Sequence, residues 1–119
     1  MSASTFKIFP DAAGEKKPSR LIPEPCFTTD EKDETTMRFY EAEDGSVASG
    51  VWECPPCKVD IPGYPVNEMM TIISGSLTIT NADGETEVFG PGEVVFAAKG
   101  AKMTWHITER LRKYYMTSA

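Results

Sequence analysis

The stretch Ile61–Gly75, "IPGYPVNEMMTIISG", decides how the chain folds. From Glu68 onward, side chains two apart in "EMMTIIS" form one set (Glu68, Met70, Ile72) that reads as the inward face of a strand, because successive side chains on a strand point to opposite faces. Gly75 ends the run where the chain must turn. The same texture continues outward in both directions. "MRFYEAE", "SVASGVWEC", "SLTIT", "TEVF", "EVVFAA", "KMTWHIT" and "LRKYYMT" are short apolar or alternating runs, and glycine-bearing turns such as "NADGE", "FGPGE" and "AKGAK" separate many of them. No helical period is visible after residue 36. In "NADGE", Asp83-Gly84 predicts a tight hairpin with two positive-φ residues. Eight short strands at near-regular spacing predict an all-β closed barrel or a two-sheet jelly roll.

Residues 1–36 read differently. They hold four of the nine prolines and the charged run "TDEKDETT". Proline fixes φ and removes a donor, so this segment is expected to be an extended N-terminal arm, with a single barrel domain over 37–119. An arm of this kind can strap across its own body or reach a neighbour.

Composition limits the function. A net charge of −6 and a pI near 4.8 disfavour binding to a phosphate backbone, which needs clustered Lys and Arg, so nucleic acid is not an expected partner. The N-terminal 20 residues contain no apolar run of signal-peptide or membrane-span length, which implies no membrane partner and a cytoplasmic location. Three cysteines are an odd number, and too few to staple a secreted mini-domain.

Several motifs in order resemble the cupin superfamily, and within it the small single-domain branch similar to the cupin domain of ureidoglycine aminohydrolase. Glu68 and Gly75 match the second half of the first cupin motif. Gly92 and Gly100 frame the second, with Ala98, Met103 and Ile107 at its proline, histidine and asparagine. "GVWEC", "NE", "DGE", Trp105 and "ERLRKYY" extend the likeness over residues 37 to 117. The resemblance implies a cupin-type double-stranded jelly roll, a metal on three histidines and one glutamate, and frequent dimers. Of those ligands only Glu68 remains: Pro62 and Tyr64, or Ile61 and Gly63, stand at the first two histidines and Met103 at the third. A thioether is a soft, weak ligand and proline is none, so no conventional metal and no cofactor are expected.

The one histidine, His106, lies out of phase with Met103, Trp105 and Ile107 and is expected to point outward. Cys54 and Cys57 form a Cys-x-x-Cys without the second pair that zinc wants or the helix that redox motifs open; a buried inert Cys54 is the simpler reading.

What remains is one inward carboxylate among Met70, Met103, Trp52, Trp105 and Cys54. A buried carboxylate must be paired or have its pKa raised. Either Glu68 is satisfied within a filled barrel, or it acts as general acid or base beside Tyr64, with the tryptophans, Cys54 and the methionines around a small-molecule ligand. Arg38 and Arg112 are the candidate partners for Glu68 or for a ligand carboxylate. The function expected is therefore a small-metabolite-binding cupin domain, with isomerase, lyase or hydrolase chemistry at Glu68 as one form of it. The alternatives are a metal-dependent cupin using Glu68, Cys54 and His106, or a non-catalytic homodimeric binding or sensor module.

Overall fold

The computed structural model describes residues 5, 7–9, 17–19, 21–29 and 33–119. Pro10 and the charges Asp30, Glu31 and Lys32 of the expected arm lie outside them.

The described residues form eight strands and one short 3-10 turn at Glu24–Cys26. The strands are β1 (Lys17–Pro18), β2 (Thr35–Glu41), β3 (Val47–Cys54), β4 (Cys57–Ile61), β5 (Asn67–Asn81), β6 (Thr86–Phe89), β7 (Val94–Ala97) and β8 (Met103–Ser118). Every pairing is antiparallel. The total matches expectation, but the strands do not correspond one to one. "EMMTIIS" and "SLTIT" are one strand, β5, and "KMTWHIT" and "LRKYYMT" are one strand, β8. β4 was not expected, because its Pro-Pro lead-in and the polar Lys58 and Asp60 mask a clean alternation whose Cys57, Val59 and Ile61 are buried.

These two long strands make the jelly roll. β5 pairs with β8 along nearly its whole length, and each belongs to both layers of the fold. The first half of β5 pairs with β7 and the second half with β6; the first half of β8 pairs with β4 and the second half with β3. One layer is thus β1-β2-β3-β8-β5-β7, and the other is β4-β8-β5-β6. The strands bend where register slips between Ile72 and Leu77. There the inward set of β5 changes from Glu68, Met70 and Ile72 to Leu77 and Ile79. Gly75 makes the bend possible, with φ of +94° and no room for a Cβ, which would fall 2.1 Å from the Arg110 carbonyl oxygen.

The hairpin from β5 to β6 corrects another expectation. Only Gly84 has positive φ, and Asn81 closes on Glu85 around a three-residue loop, with Asp83 accepting from the Glu85 N–H. This is the turn-plus-bulge form of the hairpin rather than the two-residue form.

Described arm residues pair with two strand edges, and Phe9 packs edge to face on Phe39 of β2 with ring centroids 5.8 Å apart. β1 pairs with β2, while Phe27 bridges Val59 and the Thr28 N–H donates to the Lys58 carbonyl on the edge of β4. Between these contacts Glu34 is buried. It accepts from the Ile22 N–H (3.2 Å) and from the Trp52 indole (2.9 Å), and Ser19 Oγ also accepts from that indole at 3.2 Å. Burial is the main cause that raises the Glu34 carboxyl above its usual range, opposed by these hydrogen bonds. A carboxyl with a raised folded pKa holds its proton better in the folded state, so its contribution declines as pH rises from about 4.5 through that higher value. Relative to Glu34→Gln, the wild type should therefore lose stability over that interval in urea titrations run across pH. A difference that does not change with pH would contradict the raised value.

Candidate functional site

The barrel interior between the two layers is built by strand parity. β3 sends Trp52 and Cys54 inward, β5 sends Glu68 and Met70, and β8 sends Met103, Trp105, Ile107, Leu111, Lys113 and Tyr115; all are buried. Tyr64 comes from the loop between β4 and β5. It is pinned by its own N–H donating to the Ala101 carbonyl and by its carbonyl accepting from the Gly100 N–H, both at 2.8 Å.

At the centre lies a buried ion pair that the sequence reading missed. Lys113 Nζ sits 2.5 Å from Glu68 Oε2, and both residues have 0% exposure. The Tyr64 hydroxyl donates to the other oxygen, Oε1, at 2.6 Å. Lys113 also approaches Met70 Sδ at 3.5 Å and lies over the rings of Trp52 (4.5 Å) and Trp105 (5.0 Å). Those indoles meet edge to face, and Tyr64 packs tilted against Trp105. The ammonium is thereby surrounded by a carboxylate, a thioether and two π faces, all of which stabilise a cation. Burial, followed by the charge of Glu68, pushes the Tyr64 phenol well above its usual pKa, so it remains a donor.

Lys113, not Arg38 or Arg112, is the partner of Glu68. Arg112 alternates outward and lies 3.6 Å from Glu53, which Arg110 approaches at 3.3 Å. Arg38 stands at the barrel rim, 3.0 Å from Glu41. A hydrogen bond with the Tyr115 hydroxyl is the main cause that raises the Arg38 pKa. Strand parity carried one step further held the missing signal: Met103, Trp105 and Ile107 point inward, and so do Leu111, Lys113 and Tyr115.

The metal that the cupin resemblance implies does not fit these residues. Both oxygens of Glu68 are engaged, by Lys113 and Tyr64, and Met103 Sδ accepts from the Trp105 indole at 3.2 Å. The alternative set of Glu68, Cys54 and His106 is not assembled either. His106 faces outward and is exposed, while Cys54 contacts Cys57, Sγ to Sγ, at 3.7 Å. Among the described residues no three His, Cys, Asp or Glu side chains gather into a metal-holding group.

The contact with Cys57, reinforced by burial, pushes the Cys54 thiol far above its usual pKa. Thiolate is the reactive form. In native protein a thiol reagent should therefore label the partly exposed Cys26 first, with Cys54 and Cys57 reacting only after urea is added. Labelling of all three at one rate would contradict this.

Beside Trp52, whose ring Lys113 overlies, the barrel opens into a cavity of about 270 Å³. Its wall includes Ser19, Thr36, Arg38, Trp52, Tyr115 and Thr117. The Thr36 and Tyr115 hydroxyls bond each other at 2.8 Å. Of the expected ligand-binding residues, this mouth brings together Trp52 and Arg38. Met103 instead lines two other surface cavities, at the β6/β7 edge and beside the Glu24–Cys26 turn. Cys54, Met70 and Trp105 lie in the sealed layer beneath.

Comparison with known proteins agrees with this architecture. The profile of the EutQ-like cupin domain matches residues 41–115. Among solved structures, a DUF861-family protein of unknown function from Pseudomonas syringae superposes with a TM-score of 0.78 at 22% identity, over 89% of this chain and 45% of that one. The chain thus spans about half the length of that relative. The EutQ protein of Clostridium difficile gives 0.61 at 24% identity (71% and 67% covered). The polyketide cyclase RemF of Streptomyces resistomycificus gives 0.68 at 18% (96% and 80%). At these identities the likeness is one of fold. The profile match supports a cupin domain without singling out the ureidoglycine aminohydrolase branch. No functionally curated protein matches the sequence. Among the described residues no helix is long and apolar enough to cross a membrane.

Proposed function

The chain belongs to the EutQ-like cupin domain family, and on that premise we propose that it is a metal-independent binding domain for a small carboxylate, taken up in the barrel mouth above Trp52. The observation that carries the reading is the cavity itself: about 270 Å³ of space whose wall holds a guanidinium and several hydroxyls, and which shares Trp52 with the buried ion pair. Its volume lies near the lower end for small-molecule sites and suits a compact metabolite. Arg38 supplies the planar fork that carboxylates prefer, and Tyr115 and Thr36 add hydroxyl donors beside it. Arg38 donates to Glu41 at 3.0 Å, and an incoming carboxylate would replace that oxygen with its own.

The reading asks no proton transfer of Glu68, whose two oxygens are both occupied. Glu68, Lys113 and Tyr64 form the rigid floor of the site, and the positive charge that cupins usually take from a metal is supplied by the chain.

The test is backbone-amide NMR with a series of monocarboxylates from acetate to phenylacetate, alongside the matching neutral amides. Carboxylates should shift the signals of Thr36, Arg38 and Tyr115. Arg38→Gln should weaken binding about 10- to 100-fold, the worth of a charge-assisted hydrogen bond, and Glu41→Gln should tighten it. Equal binding of the amides, or shifts confined to other surfaces, would overturn the proposal.

A further inference from the structure

The cavity beside Trp52 carries both signs of charge. Among the described residues of its wall two are ionised, Arg38 and Glu41, and Arg38 Nη1 lies 3.0 Å from Glu41 Oε2. On a regular strand residues three apart point to opposite faces. A register shift in β2 between Arg38 and Tyr40 changes the parity, so that Arg38 and Glu41 line the same cavity. Neither side chain is used up by the other. Arg38 is 46% exposed and Glu41 51%, and a guanidinium offers five N–H donors where a carboxylate accepts at both oxygens. Leu21, Ala48, Val66 and Trp52 supply the apolar part of the wall.

We propose that the ligand of this cavity is a zwitterion, an amino acid with an apolar side chain, and that Glu41 is the residue that selects it: Arg38 takes the carboxylate and Glu41 the ammonium. The inference rests on the carboxylate reading above and narrows it. Spacing is the first argument. In an α-amino acid the ammonium nitrogen lies about 2.5 Å from the carboxyl carbon. The 3.0 Å between Arg38 and Glu41 is close to that separation, so the charges of the ligand can lie antiparallel to those of the protein. Compensation is the second. A simple carboxylate that draws Arg38 away from Glu41 leaves the Glu41 charge without its partner, whereas an amino acid brings the cation that takes its place. The chain's net charge of −6 acts in the same direction, because it repels an anion and not a neutral zwitterion. The apolar wall is the third. Each ligand methylene buried against it strengthens binding roughly fourfold, which favours leucine or valine over glycine.

The test titrates the full chain at neutral pH, followed by backbone-amide NMR, with leucine, with 4-methylpentanoate, which lacks the ammonium, with leucinamide, which lacks the carboxylate, and with glycine. Leucine should bind about 10-fold or more tighter than each of the other three. Glu41→Gln should weaken leucine about 10-fold and tighten 4-methylpentanoate, two changes of opposite sign that a general loss of structure would not produce. Glu109→Gln, which removes the same charge from an exposed position on β8 outside the cavity, should leave both affinities unchanged. If 4-methylpentanoate binds the wild type as tightly as leucine, or Glu41→Gln tightens both, the selection of a zwitterion is overturned and the carboxylate site stands. Glycine binding as tightly as leucine would overturn the part given to the apolar wall. Leucinamide binding as tightly as leucine, or no binding by any of the four, would overturn this inference and the carboxylate reading together.

Discussion

Replacing Lys113 with methionine should destabilise the protein by about 3–5 kcal/mol, the cost of stranding one member of a buried ion pair. Methionine keeps the unbranched shape and most of the apolar stem, so the loss is electrostatic. The Glu68 carboxylate retains the Tyr64 hydroxyl and loses the ammonium that stands 2.5 Å away. Against a domain stability of about 5–15 kcal/mol, this is a large share. Glu68→Gln should cost a similar amount by the mirror argument, leaving a cation among two indoles and a thioether. The double variant should recover much of the loss, because two neutral groups of similar volume need no mutual compensation. Denaturant titrations of the four proteins close the cycle. A Lys113→Met variant within about 1 kcal/mol of wild type, or two single costs that simply add, would show that the pair is not coupled. Methylammonium should partly restore a Lys113→Ala variant by entering the vacated cage, whereas neutral methanol should not.

Gly75→Ala should be comparably damaging for a steric reason. An added Cβ would lie 2.1 Å from the Arg110 carbonyl oxygen, on a backbone at φ +94°. Positive φ alone costs a side-chain-bearing residue about 1–2 kcal/mol. The clash with β8 backbone comes on top and cannot be relieved without separating the two strands that hold the layers together. The expected total exceeds about 3 kcal/mol, up to failure to fold. Gly84→Ala is the control: its φ is +88° but nothing lies within 4 Å of the added carbon, so it should cost only the conformational strain. Equal thermal shifts for the two variants would contradict the role given to the β5 bend.

How much of this was legible in the sequence depended on whether parity survived. The inward sets Glu68, Met70, Ile72 and Met103, Trp105, Ile107, and the outward His106, follow from simple alternation and appear in the structure as read. At the Gly75 bend the inward parity of β5 shifts by one residue. Alternation read from either side cannot reveal that the two runs form one strand. Lys113 was hidden for another reason. A lysine is rarely fully buried unless it is paired, so the eye goes to Arg112, the more familiar carboxylate partner. Yet on β8 the inward parity passes through the bend unchanged, and Trp105 and Lys113 share it. Glu34 was missed because it sits in a charged run that reads as solvated, although three partners, Ser19, Ile22 and Trp52, close around it. The cavity at the barrel mouth joins Ser19 to Thr117 across most of the chain, and no local pattern encodes such a meeting.

On the function proposed above, Lys113 supplies from within the chain the positive charge that a metal brings to other cupins. Equilibrium dialysis of the untagged full chain against Mn²⁺, Fe²⁺, Ni²⁺ and Zn²⁺, followed by elemental analysis, tests it most directly. No stoichiometric uptake by the wild type is expected. One tightly held metal per chain, lost on Glu68→Ala, would contradict it.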